Sequence, residues 1–296
     1  MARDLAAAPA AVGRAALTVG LLGGRPRRTL DLVAGRTHVE RAGADLGDAG
    51  RVAVLVHHAS RPAVTRSFRE LVGAFAREDY RVLVVSSSEF REPLDWGPEG
   101  APPAVTVLRK PNVGYDFGSW AVGLDVFPQV KAAPTVVLAN DSLVGPFAPV
   151  DALLARLDAS RADVWGLTET LQFARHLQSY FIGYRGGVLA DGPLEWFWRG
   201  VRHHADKQTI IHRNEVGLGR LLETEGYAVD ALFGAGQVVP AADNPTIAGW
   251  RTLLERGMPF VKREIVRTPA LAPDGEHIPA VLRARYGVDV DEWLDG

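Results

Sequence analysis

Four short apolar runs constrain this chain most: Val52-Ala53-Val54-Leu55-Val56, Arg81-Val82-Leu83-Val84-Val85, Val105-Thr106-Val107-Leu108 and Thr135-Val136-Val137-Leu138-Ala139. Each is too short for a core helix and is rich in β-branched residues without a polar face. That is the pattern of a strand covered on both sides. Between the first two runs, Val64, Phe68, Leu71, Val72 and Phe75 recur at helical spacing after Pro62, which predicts an amphipathic helix. A second helix is expected from Asn112–Trp120 to about Leu124. The order strand, helix, strand, strand, helix, strand predicts an α/β protein with a mainly parallel, Rossmann-type sheet flanked by helices. The first strand is followed by His57-His58 and not by G-x-G-x-x-G, which disfavours a dinucleotide dehydrogenase.

Residues 1–50 carry no clear strand pattern and are expected to form an N-terminal extension, helical or disordered. Order is expected from Arg51. Past Pro146 the pattern loosens: a helix near Val150–Asp158, a strand at Asp163–Thr168, another at Ser179–Arg185, and helices at Glu215–Glu225 and Thr246–Arg256. Trp196, Phe197, Trp198 and Val201 form an aromatic helix face, read as core in preference to a sugar platform. The organisation expected is therefore a domain over 51–270, with a donor-binding half (51–146) and an acceptor or catalytic half (147–270). A C-terminal helical tail follows over 271–296.

Composition narrows the function. A net charge of −2 gives no basic face for nucleic acid, and the absence of cysteine excludes disulfides, thiolate metal sites and cysteine nucleophiles. No run approaches the ~20 apolar residues of a membrane span. Asp4 and Arg14 interrupt the alanine-rich start where a secretory signal would be basic and then apolar, so a cytoplasmic protein is expected. The cluster Arg25, Arg27 and Arg28 reads as a solvated linker, with peripheral contact to anionic lipid at the inner membrane face as the other reading.

The fourth run ends in Asn140-Asp141-Ser142. A buried strand that ends in an amide, a carboxylate and a hydroxyl delivers hard oxygen ligands to the edge where open α/β sheets bind ligands. Asp141 and Ser142 are thus candidates to hold Mg²⁺ or Mn²⁺ against a diphosphate, with Asn140 beside the donor. A turn cap is the bland reading of Asp141. In Asn112-x-Gly114-x-Asp116, Gly114 would let the backbone approach a ligand and Asp116 would accept from ribose or sugar hydroxyls; a helix N-cap is the alternative for Asp116. Together these segments point to a nucleotide-sugar site. Glu215, opening a helix, is the candidate base toward an acceptor hydroxyl, and Glu169 is its rival. Complementing the helix dipole would account for Glu215 equally simply. His176 and Gln178 are placed on the acceptor side. Lys262, with Arg263, would neutralise diphosphate charge, and His57 would line the donor pocket, since adjacent histidines face opposite ways and only one of His57-His58 can. His203-His204 lack an acidic partner for a metal. Asp289-Val290-Asp291 matches D-x-D but lies in a polar terminal segment and is set aside.

Five motifs occur in order: Asn112-Val-Gly-Tyr-Asp-Phe-Gly-Ser-Trp120, Ala139-Asn-Asp-Ser142 with Gly145-Pro146, His176-Leu-Gln-Ser-Tyr-Phe181, Glu215-Val-Gly-Leu218, and Asn244-Pro-Thr246 with Pro259-Phe-Val-Lys262. Across roughly residues 51–270 they resemble the rhamnan synthesis protein F family of bacterial surface-polysaccharide glycosyltransferases. The resemblance implies a GT-A-like fold and a nucleotide-sugar donor, dTDP-L-rhamnose before a UDP- or GDP-sugar. It also implies transfer to a growing glycan or lipid-linked glycan. By position, Asp116 would contact donor and Asp141 would hold metal or diphosphate, although the single carboxylate departs from a full D-x-D. An inverting glycosyltransferase is the leading expectation. The alternative is a catalytically silent nucleotide- or glycan-binding scaffold of a polysaccharide assembly complex. A nucleotidyltransferase would need a Gly- and Lys/Arg-rich phosphate loop after the first strand, and none is present.

Overall fold

A computed structural model describes residues 26–295. The strands are β1 (His38–Arg41), β2 (Arg51–His57), β3 (Arg81–Ser86), β4 (Val105–Arg109), β5 (Thr135–Asn140), β6 (Leu143–Val144), β7 (Val164–Thr170), β8 (His176–Leu177), β9 (Phe181–Arg185), β10 (Val229–Phe233) and β11 (Val261–Lys262). The longer helices are α1 (Arg66–Arg77), α2 (Tyr115–Val126), α3 (Asp151–Asp158), α4 (Gly192–Arg199), α5 (Val216–Thr224) and α6 (Ile278–Tyr286). The central sheet runs β1-β4-β3-β2-β5-β9-β7-β10, with β8 on β7.

Strands β4, β3, β2 and β5 are mutually parallel, and β10 is parallel to β7. β9 is antiparallel to both β5 and β7, and β1 is antiparallel to β4. The protein is therefore α/β with a mixed, mostly parallel sheet. Burial of both faces, inferred from the apolar runs, is visible along β2: Ala53 and Leu55 join the layer under α1, whereas Val52, Val54 and Val56 join the layer under α2. Period-two alternation sends successive side chains to opposite faces, so a strand without a polar face requires a layer on each side. Trp120 lies inside the second layer, 1% exposed, and its indole N–H donates to Val54 O (3.2 Å) and Ala139 O (3.3 Å).

Two boundaries differ from the sequence expectation. The described part of the N-terminal extension belongs to the fold: a short helix, Thr29–Val33, packs on α2, and β1 pairs with the sheet edge. A largely buried ion pair, Arg109 Nη1 to Glu40 Oε2 at 2.7 Å, ties that edge strand to β4. The part before Pro26 lies outside the described residues. The C-terminal segment is also not a tail. Ile278, Leu282, Val290 and Trp293 form a third apolar cluster with Val144, Phe147, Trp250 and Val261, so α6 and its sequel cover the small β6–β11 ribbon.

Candidate functional site

The chain passes from β2 through α1 to β3 on one side of β2, while β5 lies on the other. The strand order reverses at this point, and the carboxyl ends of strands at such a reversal are where open α/β sheets bind ligands. Asp141 sits there: its amide donates to Val56 O (3.1 Å), and its Oδ2 accepts the His58 N–H (3.0 Å). Above it opens a cleft of about 590 Å³. Asp116, Asn140, Asp141, Ser142, Gln178, Glu215 and Lys262 all line it.

They arrive from five places in the chain, with Asn140, Asp141 and Ser142 together at the end of β5. Asp116 stands in the first turn of α2, one residue inside a start made by Gly114 in the left-handed region (φ 91°). Asp116 is consequently not the N-cap. Lys110 shapes that turn, its buried ammonium donating to Pro111 O and Val113 O, each at 2.9 Å. Asn140 links the two acidic segments: its Nδ2 donates to Asp116 Oδ2 (2.7 Å) and its Oδ1 accepts from Ser142 N (3.1 Å) and Ser142 Oγ. Burial, reinforced by the nearby Asp141 charge, pushes the Asp116 carboxyl up to about 6 against the Asn140 hydrogen bond.

Glu215 closes the opposite wall. It ends a π-helical turn, Ile211–Glu215, that leads into α5. Ser179 Oγ donates to its Oε1, and His176 Nε2 lies 3.6 Å from its Oε2. Burial works to raise this carboxyl, but the His176 and Ser179 contacts and the Lys262 charge outweigh it and hold it below the usual range. Lys262 lies over the Tyr180 ring at 5.0 Å, and burial lowers its ammonium against the pull of Glu215. Arg263 lines the cleft as well. Its Nε and Nη2 are buried without a hydrogen-bond partner among the described residues, with Asp141 as the acidic group acting on it. Gln178 is fixed by Thr168 Oγ1 donating to its Oε1 (2.7 Å) and by its own Nε2 donating to Asn244 Oδ1 (3.1 Å).

Five expected site residues lie elsewhere. His57 is 1% exposed and packs on Phe68 at 4.7 Å; burial drops its imidazole to about 4, and its neighbour His58 takes the cleft edge. The alternation of β2 decided between them. Asn112 is exposed and bonded to Glu89 (3.2 Å). Gly114 owes its identity to packing: a Cβ there would lie 2.7 Å from the Thr29 side chain. Glu169 spends both oxygens on Arg175 Nε (2.6 Å) and Ala235 N (3.2 Å), beside a separate depression. His176 is buried behind Glu215 and does not line the cleft, so it is a positioning group there. Ser179 and Asn244 stand within the quoted motifs, but the sequence assigns them no role, because each acts through a partner distant in the chain.

The profile of rhamnan synthesis protein F matches residues 101–283. This chain belongs to that family. The match begins later and ends later than the motifs suggested, and it takes in both walls of the cleft. Virulence protein VirA of Vibrio anguillarum is 27% identical over 192 residues, covering 54% of this chain and 62% of its own. An uncharacterized protein, y4gN of Sinorhizobium fredii, is 26% identical over 154 residues, covering 50% of this chain and 40% of its own. The chain thus spans less than two thirds of either relative. A crystal structure from Desulfovibrio desulfuricans G20, assigned as a nucleotide-diphospho-sugar transferase, matches 80% of this chain and 98% of its own with 13% identity and a TM-score of 0.38. No helix among the described residues is long and apolar enough to cross a membrane.

Proposed function

We propose that this family member is a glycosyltransferase of polysaccharide assembly, moving a sugar from a nucleoside diphosphate to an acceptor hydroxyl with inversion. The observation that carries the reading is the Asp141 carboxylate at the reversal point of the sheet. It faces a cleft that also holds Asp116, Glu215, Lys262 and Arg263. Cations for a diphosphate and carboxylates for a cation and a proton stand in one cavity.

In this reading, Lys262 and the Arg263 guanidinium, whose Nε and Nη2 have no partner among the described residues, receive the diphosphate. Asp141, Ser142 and the Asp116 carboxylate supply only oxygen donors, a set suited to Mg²⁺ or Mn²⁺. They contribute too few ligands alone, so phosphate oxygens would complete the shell. Such an ion would neutralise the departing diphosphate. Asn140 holds Asp116 and Ser142 in register. Glu215, kept ionised and aimed by Ser179 and His176, takes the acceptor proton as the acceptor oxygen bonds to the anomeric carbon and the carbon–phosphate-oxygen bond breaks. Gln178, fixed through Asn244, shapes the acceptor side. The GT-A-like fold, dTDP-L-rhamnose as donor and a lipid-linked glycan as acceptor extend the same reading and rest on family membership.

Thermal shift with dTDP, UDP and GDP, with and without Mn²⁺, is the direct test. One nucleotide should stabilise the protein, and Asp141→Ala should weaken that binding by about tenfold or more. Hydrolysis of the matching nucleotide-sugar should fall about a hundredfold or more in Glu215→Gln. Full turnover in that variant would remove Glu215 as base, and binding with no turnover under any donor would favour the scaffold reading.

A further inference from the structure

The aromatic face of α4 does not behave as core throughout. Trp198 is 2% exposed and Phe197 is half-buried, but Trp196 is 80% exposed. Trp196 and Phe197 line a second cavity of about 560 Å³, together with Arg202, His204, Arg213 and Asn214. No Asp or Glu lines it among the described residues. Arg202 and Arg213 make no ion pair among the described residues, and Arg202 reaches only a backbone oxygen, Pro26 O. Asn214 is 5% exposed, and its Nδ2 has no hydrogen-bond partner among the described residues. Burial and the adjacent Arg213 hold the His204 imidazole below its ordinary value, against the pull of Asp206, which does not line the cavity.

The cavity adjoins the cleft through one turn of chain. In the π-helical segment Ile211–Glu215, Ile211 and Glu215 line the cleft, whereas Arg213 and Asn214 line this cavity. Successive side chains of a helical turn point in different directions, so the neighbours Asn214 and Glu215 reach two different pockets.

We infer that this cavity is a second saccharide site, taking a sugar ring that carries a phosphate or carboxylate. Trp196 offers its face to the ring, Arg202 and Arg213 pair with the anion, and the idle amide of Asn214 donates to a ring hydroxyl. A concave pocket with a buried, unused donor fits a molecule that enters it better than it fits a flat lipid surface. The role as a remote subsite for the acceptor glycan rests on the transferase reading; the binding itself does not.

Saturation-transfer difference NMR on the full chain, with α-D-glucose 1-phosphate as probe, tests the inference. The ring protons should be saturated, and glucose itself should give a signal weaker by about fivefold or more. Trp196→Ala and Arg213→Ala should each cut the sugar-phosphate signal by about fivefold, while Asp141→Asn in the cleft should leave it in place. Trp196 is so exposed that its removal should leave the melting temperature unchanged, which separates lost binding from lost folding. A signal equal for glucose and its phosphate, or unmoved by Trp196→Ala, overturns the site, as does a signal lost only in Asp141→Asn. Trp196-dependent sedimentation with vesicles of about 30 mol% phosphatidylglycerol, without a sugar-phosphate signal, would make the face a lipid surface and overturn it too. Failure of the cleft to bind any nucleotide would sink the transferase reading and leave these outcomes untouched.

Discussion

Asp116 and His57 have opposite pH behaviour. The Asp116 carboxyl titrates near 6 in the fold against 3.8 ordinarily, so stability falls as pH rises between those values, because the folded state keeps a proton the unfolded chain has released. The His57 imidazole titrates near 4 against 6.5, so its burial loses stability as pH drops from 6.5 toward 4. In the overlap the two slopes oppose each other. Asp116→Asn keeps an acceptor for Asn140 Nδ2 and removes one of them. The variant should gain about 2 kcal/mol near pH 7, gain nothing near pH 3.5, and lose stability more steeply than the parent on acidification from 6 to 4. Urea unfolding across that range reads both effects, and parallel pH profiles for the two proteins would contradict the assignment of Asp116. The sequence placed Asp116, Asn140 and Asp141 at one edge correctly. It could not show that Asn140 ties Asp116 to Ser142, since a hydrogen bond across 24 residues leaves no periodic trace.

Helix α2 begins where it does because Gly114 alone can take a φ of 91° with the Thr29 side chain against its α-carbon. Gly114→Ala meets both obstacles and should lose about 2 kcal/mol of stability, read as a lower denaturation midpoint. Thr29→Ala in the same chain should return only part of that loss, because removing the contact leaves the backbone strain; complete recovery would mean that φ costs nothing there. The glycine that reads as a ligand-approach device in the sequence is thus an element-packing device. The start of the helix that carries Glu215 was misplaced by the sequence reading: the helical run opens at Lys207, capped by Asp206, and passes through the π turn Ile211–Glu215 into α5, so Glu215 stands inside it and not at its first turn.

At the scale of the chain, the described segments flanking the sheet belong to the fold. Leu282 is fully buried in the cluster that backs β6 and β11, the ribbon that carries Ser142 and Lys262 to the cleft. Leu282→Ala should therefore cost about 2–5 kcal/mol, as in any core, and not the few tenths expected of a frayed tail. Calorimetry would decide between them, and a single transition lowered as a whole is the expected result. Nucleotide binding should weaken with it near the transition, because Ile247 packs on this cluster and lines the cleft.

The apolar β-branched runs determined the mostly parallel sheet and its two covered faces, because a strand without a polar side is stable only between layers. The strand-end position of Asn140-Asp141-Ser142 was legible for the same local reason: a buried strand can change to polar residues only where it emerges. That this end lies at the reversal of strand order was set by the sheet topology. The antiparallel insertion of β9, the choice of His58 over His57, the withdrawal of Glu169 and the exposure of Trp196 were decided by tertiary structure alone. Each depends on which neighbours meet or leave a side chain in space, and spacing and propensity along the chain do not report that.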